Sequence, residues 1–245
     1  MMKDLLLKDG ERLDDLHRNG YKLIQHPAYF TFGMDAVLLS DFATVHRSEK
    51  HIDLCCGNGA IPILLAAKNK GISYAGAEIN ESLVDMATRS VAYNGLADKI
   101  RIHHIDIRAM DGFGPNLDVV TVNPPYMAAD TGAQNENYDM AIARHEILCN
   151  LEDVACAAAK LLRYGGRYYM VHRPSRLADI MMALRKYGLE PKILRLVQPK
   201  ASTAPNTLLI AAAKGGKPHL EIKPPLIVYG DDGQYTEEIH RIYYE

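Results

Sequence analysis

The sequence predicts an α/β protein with a seven-stranded, mostly parallel sheet and helices on both faces. Three observations predict it. From His51 onward, short apolar runs alternate with segments of helical period, an order that builds a parallel sheet. The first of these runs leads through a glycine-containing turn directly into a helix. The composition, 48% hydrophobic and 24% charged over 245 residues with a net charge of -2, is that of an ordinary globular protein long enough to bury a core.

The elements follow in order. A hairpin is expected over 16–26, where Asn19-Gly20 is the strongest short turn signal, and a helix over 35–45 from its apolar spacing. Strands are expected at 52–55, 74–78, 100–105, 117–122, 167–171, 193–197 and 207–212, with helices at 60–68, 81–93, 151–162 and 176–187. Asn80 reads as an N-cap, and Gly95 and Gly188 as C-terminal stops. The expected organisation is one domain: a hairpin and helix over 1–50 lying as a flap on the core, the core at 51–214, and an extended tail at 215–245 set by Pro218, Pro224 and Pro225. No repeat or low-complexity linker interrupts it.

Composition excludes several function classes. Apolar runs such as 208–213 are too short to cross a bilayer, and 1–15 lacks the apolar core of a secretory signal, so a soluble protein of the cytoplasm is expected. Cys55, Cys56, Cys149 and Cys156 form no C-x-x-C pair, so buried, reduced thiols and no metal are expected.

The segment His51-Ile52-Asp53-Leu54-Cys55-Cys56-Gly57-Asn58-Gly59 carries the first chemical signal. Glycines let backbone N–H groups approach a ligand, and the helix start that follows favours an anionic group. Glu78 closes the next strand 25 residues beyond Asp53, where a carboxylate can accept both hydroxyls of a ribose. Asp106 ends the third strand. Three acids at three successive strand ends describe an adenosine-containing cofactor, either a nicotinamide dinucleotide or S-adenosylmethionine. The loop lacks the G-x-G-x-x-G that cradles a pyrophosphate.

Asn123-Pro124-Pro125-Tyr126 follows the fourth strand. Two prolines fix the backbone and donate nothing, so the Pro124 carbonyl is a rigid acceptor. An amine bonded to the Asn123 side-chain oxygen and that carbonyl would present its lone pair for in-line methyl transfer, while Tyr126 stacks the substrate.

These motifs resemble the amino-methyltransferases among class I S-adenosylmethionine enzymes, with a Rossmann-like fold, over 51 to about 214. The resemblance implies that Asp53, Cys55, Gly57, Asn58, Gly59, Glu78 and Asp106 bind S-adenosylmethionine, Asp53 organising the loop and Asp106 meeting the adenine. It also implies that Asn123, Pro124, Pro125 and Tyr126 are catalytic. Cys55 departs from the pattern, standing where the family has its first loop glycine.

Four substrates share such a tetrapeptide: DNA adenine, ribosomal RNA guanine, release-factor glutamine and transfer RNA adenine. The first three belong to enzymes with extra domains that this chain does not show. The flanks are similar to the bacterial family that methylates adenine 37 of a valine tRNA. They are Phe32-Gly33-Met34-Asp35-Ala36-Val37-Leu38-Leu39, Ala143-Arg144-His145-Glu146, Val171-His172-Arg173-Pro174-Ser175-Arg176-Leu177, and Pro224-Pro225-Leu226-Ile227-Val228-Tyr229 followed by Tyr235-Thr236.

Charge points independently to an RNA partner. Twelve Lys and Arg stand between Lys160 and Lys217 against only Asp179 and Glu190, a segment of +10. Arg173 and Arg176 follow a strand end and are the expected substrate contacts, with Arg144 and His145. Arg185 and Lys186 are expected to face solvent. The loop 127–137 reads as a cover over the target, and no base is needed for the transfer itself. A non-catalytic RNA-binding protein of this fold is the alternative.

Overall fold

The Asn19-Gly20 turn reverses the chain as its backbone preference dictates: φ is 51° at Asn19 and 68° at Gly20. It joins β1 (Arg12–Asp15) to β2 (Lys22–Gln25) in the computed structural model, which describes residues 7–29, 31–68, 71–124 and 149–244. Helix α1 (Met34–Phe42) follows.

The seven expected strands all form: β3 (Lys50–Leu54), β4 (Ser73–Glu78), β5 (Ile100–His104), β6 (Leu117–Val122), β7 (Leu162–His172), β8 (Leu189–Gln198) and β9 (Thr207–Lys214). Between them lie α2 (Ala60–Ala67), α3 (Glu81–Tyr93), α4 (Leu151–Leu161) and α5 (Leu177–Lys186). Asn80 caps α3, its side-chain oxygen accepting from Ser82 N at 3.0 Å and Leu83 N at 3.3 Å. Strand β7 begins five residues earlier than its apolar run implies, because the chain leaves α4 at Leu162 straight into pairing with Leu117.

The order across the sheet is β5-β4-β3-β6-β7-β9-β8. Among the described strands of this sheet only β9 runs antiparallel, to both β7 and β8. The order reverses between β3 and β6, which places a topological switch point at their C-terminal ends. Two further strands of two residues each, β10 (Glu221–Ile222) and β11 (Leu226–Ile227), add to β8, so among the described residues the sheet has nine strands where seven were expected.

Two apolar layers hold the sheet. One contains α1, α2 and residues of α3; the other contains α4 and α5. Every residue of α2 is buried because it lies under α1 as well as on the sheet, which is what an all-round apolar sequence requires. The front hairpin is tied down more closely than a flap. Leu23 and Ile24 are wholly buried, Ile24 N donates to Ser90 Oγ at 2.9 Å, and Asn94 clasps the backbone of Lys22 through two bonds.

The tail corrects the expectation of an extended wrap. Its first half is extended, but α6 (Glu237–Tyr244) closes the chain as a helix. Thr236 begins it, and Ile239 and Ile242, three apart on one face, enter the core. In the sequence, the prolines and the shortness of this eight-residue helix mask that spacing. Ile239 is fully buried, so Ile239→Ala is expected to cost about 2 to 4 kcal/mol of stability, read from denaturant unfolding.

Candidate active site

The strand ends at the switch point gather most of the expected residues. Asp53 on β3 is wholly buried beneath the turn it precedes. The turn needs left-handed backbone at three places: φ is 56° at Cys55, 55° at Gly57 and 85° at Gly59. A Cβ at Gly59 would come within 3.2 Å of Ala87 Cβ, so glycine there serves both φ and packing. Cys55 occupies its place at a cost of about 1 to 2 kcal/mol of strain. Its Sγ lies 3.9 Å from that of Cys149, and the hydrogen bond to Cys149, with burial, pushes the Cys55 thiol well up. Of the four cysteines only Cys56 is fully buried, and the other three are partly exposed.

Glu78 ties the turn to the neighbouring strand. One carboxylate oxygen accepts from Gly57 N at 2.9 Å, and the other from Ile79 N and Asn80 N, each at 2.9 Å. Asn58 donates to Gln25 Oε1 at 3.3 Å, so the front hairpin reaches the same turn. Sequence reasoning missed Gln25, whose partner on the turn, Asn58, lies 33 residues away along the chain. Asp106 stands one strand further out. It accepts from Arg108 N at 2.9 Å and pairs with the Arg108 guanidinium at 2.5 Å, which holds its carboxyl below the usual range.

On the other side of the switch point, Asn123 follows β6. Its Oδ1 is buried and has no hydrogen-bond partner among the described residues, and Pro124 beside it is buried too. Pro125, Tyr126, Arg144 and His145 lie outside the described residues, as does the loop 127–137. Asp53 Oδ2 is another buried oxygen without a partner among the described residues. Burial pushes the Asp53 carboxyl well up, against a lowering hydrogen bond from Thr121. Buried acceptors of this kind on either side of the switch point are what a polar ligand bound there would satisfy. These side-chain acceptors fit a nucleoside cofactor with a ribose and an amino-acid end, whose hydroxyls and ammonium are donors.

Arg173 and Arg176 lie past the end of β7, on the same edge of the sheet. Arg173 Nη1 donates to Asn206 O at 3.1 Å and Arg176 pairs with Asp179 at 2.8 Å. The surrounding basic segment is not one field. Lys160, Arg163, Arg167, Arg185, Lys186 and Arg195 pair with Asp111, Asp118, Glu49, Glu190, Glu152 and Glu238. Most of those acids lie outside the segment, so folding disperses the +10 read from the sequence. Arg185 and Lys186 do face solvent, with side chains 64% and 55% exposed.

No helix among the described residues is long and apolar enough to cross a membrane. The tRNA1(Val) (adenine(37)-N6)-methyltransferase of Dickeya chrysanthemi is 25% identical over 217 residues, covering 86% of this chain and 85% of its own. The enzyme of the same name from Porphyromonas gingivalis is 26% identical over 221 residues, with 86% of each covered. In three dimensions the chain is similar to a predicted O-methyltransferase from Agrobacterium tumefaciens, with a TM-score of 0.70 at 22% identity, over 86% of this chain and 95% of that one. The fold is thus that of class I methyltransferases. The model of the methyltransferase small domain matches residues 23–184, which span both halves of the switch point. The chain belongs to that family and takes S-adenosylmethionine as its methyl donor.

Proposed function

We propose that the protein methylates the exocyclic N6 amine of an adenine in transfer RNA, with adenine 37 of a valine tRNA as the target. The observation that carries it is Asn123: an amide oxygen buried at the strand end, without a partner among the described residues, beside the donor-binding turn. The names and coverage of the relatives from Dickeya chrysanthemi and Porphyromonas gingivalis support the tRNA and the position. The front segment and tail belong to the same domain as the core, as their burial against it supports. The enzyme works in the cytoplasm, where its RNA substrate is.

Bound S-adenosylmethionine supplies an electrophilic methyl group on a sulfonium. Glu78 binds its ribose hydroxyls, Asp106 its adenine, and Asp53 with the turn Cys55, Gly57, Asn58 and Gly59 its amino-acid end. An aryl amine is a poor nucleophile because its lone pair is delocalised. Asn123 Oδ1 and the Pro124 carbonyl accept its two N–H groups and hold it pyramidal, with the lone pair directed at the methyl group. Pro125 fixes that carbonyl and Tyr126 stacks the base, which leaves its own stack to reach the site. The surplus proton leaves to solvent after transfer, so no side chain acts as a base. His145 and Arg144 contact RNA.

The test is incubation with labelled S-adenosylmethionine and bulk tRNA, followed by nucleoside analysis. N6-methyladenine in the valine tRNA is expected. Label in guanine, in DNA or in a release factor, or no transfer at all, would overturn the reading. Arg173 and Arg176 are expected to contact phosphates. Changing both to Ala should weaken tRNA binding and lower the slope of log affinity against log salt by about 2, leaving donor affinity unchanged. An unchanged slope would place the RNA elsewhere.

A further inference from the structure

Three polar side chains are stacked where an apolar sheet interior would be expected. His51, Asp53 and Thr121 are 1%, 0% and 0% exposed. His51 and Asp53 are two apart on β3 and share a face of the sheet, and Thr121 is the register partner of Asp53 on β6. The Thr121 hydroxyl donates to Asp53 Oδ1 at 2.6 Å and stands 2.8 Å from His51 Nε2. A hydroxyl has one proton, and here it goes to Asp53. Towards His51 the oxygen is therefore the acceptor, so the imidazole carries its hydrogen on Nε2. Burial agrees, pushing His51 down to about 3 and keeping the ring neutral. The three groups form a directed chain from His51 through Thr121 to Asp53.

Sheet stability alone does not ask for such a chain, since apolar residues of similar volume pack between strands without a desolvation cost. Its position gives it a use. Asp53 lies two residues before the left-handed Cys55, and Thr121 two residues before Asn123, so one hydroxyl joins the two halves of the switch point. Asp53 has one oxygen held by that hydroxyl and the other without a partner among the described residues.

We propose that Thr121 is a positioning residue of the donor site: oriented by His51, its hydroxyl fixes the Asp53 carboxyl group so that the remaining oxygen serves the bound donor. This rests on the reading of Asp53 as a donor-binding residue. Thr121 itself touches neither donor nor substrate. Without the hydroxyl, Asp53 loses the group that sets its rotamer, and the pre-organisation of the turn goes with it.

The experiment measures S-adenosylhomocysteine binding by calorimetry on the full chain, with tRNA affinity measured alongside. Thr121→Val, which keeps the shape and removes the hydroxyl, is expected to weaken binding by about tenfold or more. Thr121→Ser, which restores the hydroxyl, is expected to stay within about threefold of the parent, and tRNA affinity is expected to hold in both. A merely structural role for Thr121 would not separate the two ligands. If Asp53→Ala binds S-adenosylhomocysteine normally, the reading of Asp53 falls and the proposal with it. If Asp53→Ala is weak while Thr121→Val binds like the parent, the proposal alone is overturned. Equal weakening in Val and Ser variants overturns it as well. Should Thr121→Val fail to fold, His51→Leu serves in its place: the hydroxyl stays but its orienting donor is gone. A weakening of about threefold or more supports the proposal, and parent-like affinity overturns it.

Discussion

Glu78→Ala is expected to weaken S-adenosylmethionine binding by at least about a hundredfold. Two charge-assisted hydrogen bonds to ribose hydroxyls contribute about 1.5 to 3 kcal/mol each, which sets that lower bound. The structure adds a second loss. The same carboxylate receives Gly57 N, Ile79 N and Asn80 N, so its removal frees three backbone donors and releases the turn that carries the left-handed residues. Glu78→Gln separates the two contributions, because its amide oxygen still accepts from the backbone while its NH2 group must meet a hydroxyl or an N–H. Calorimetry on both variants checks this. Parent-like affinity in Glu78→Ala would remove Glu78 from the donor site.

Asn123→Ala is expected to cost mainly the chemical step. One hydrogen bond strengthened in the transition state is worth roughly 3 to 4 kcal/mol, about a hundred- to thousandfold in rate. The buried Oδ1, without a partner among the described residues, makes the effect specific, since its removal breaks no hydrogen bond to another described residue. Tyr126→Ala should remove about 1 to 3 kcal/mol of stacking. Donor affinity should survive both. His145→Ala should keep a substantial rate, because the proton is lost after transfer. Single-turnover methylation of tRNA at saturating donor, with adenine and guanine products resolved, measures all three. Normal turnover in Asn123→Ala together with an inactive His145→Ala would refute the two-acceptor chemistry.

The sequence by itself determined what depends on neighbours along the chain. Alternating runs set the strands and helices from β3 to β9, Asn80 set the start of α3, and Asn19-Gly20 set the hairpin. Each of these rests on a local backbone preference or on the periodicity of a single element. The acids at the ends of β3, β4 and β5 and the Asn123 turn were legible for the same reason, since a parallel sheet brings all its C-terminal ends to one side.

Only the tertiary structure decided what depends on residues far apart. The basic run was real as a count, but Glu49, Asp111, Asp118, Glu152 and Glu238 come from other elements to neutralise it. Asn58 meets Gln25, and Thr121 meets Asp53 across 68 residues, through strand register and packing that no local period encodes. The last helix formed because a core surface was there to receive Ile239 and Ile242, and an eight-residue segment is too short to hold a helix without one. Local preference is a property of a few adjacent residues, whereas ion pairing, register and the burial of a short amphipathic helix exist only once the sheet has brought their partners together.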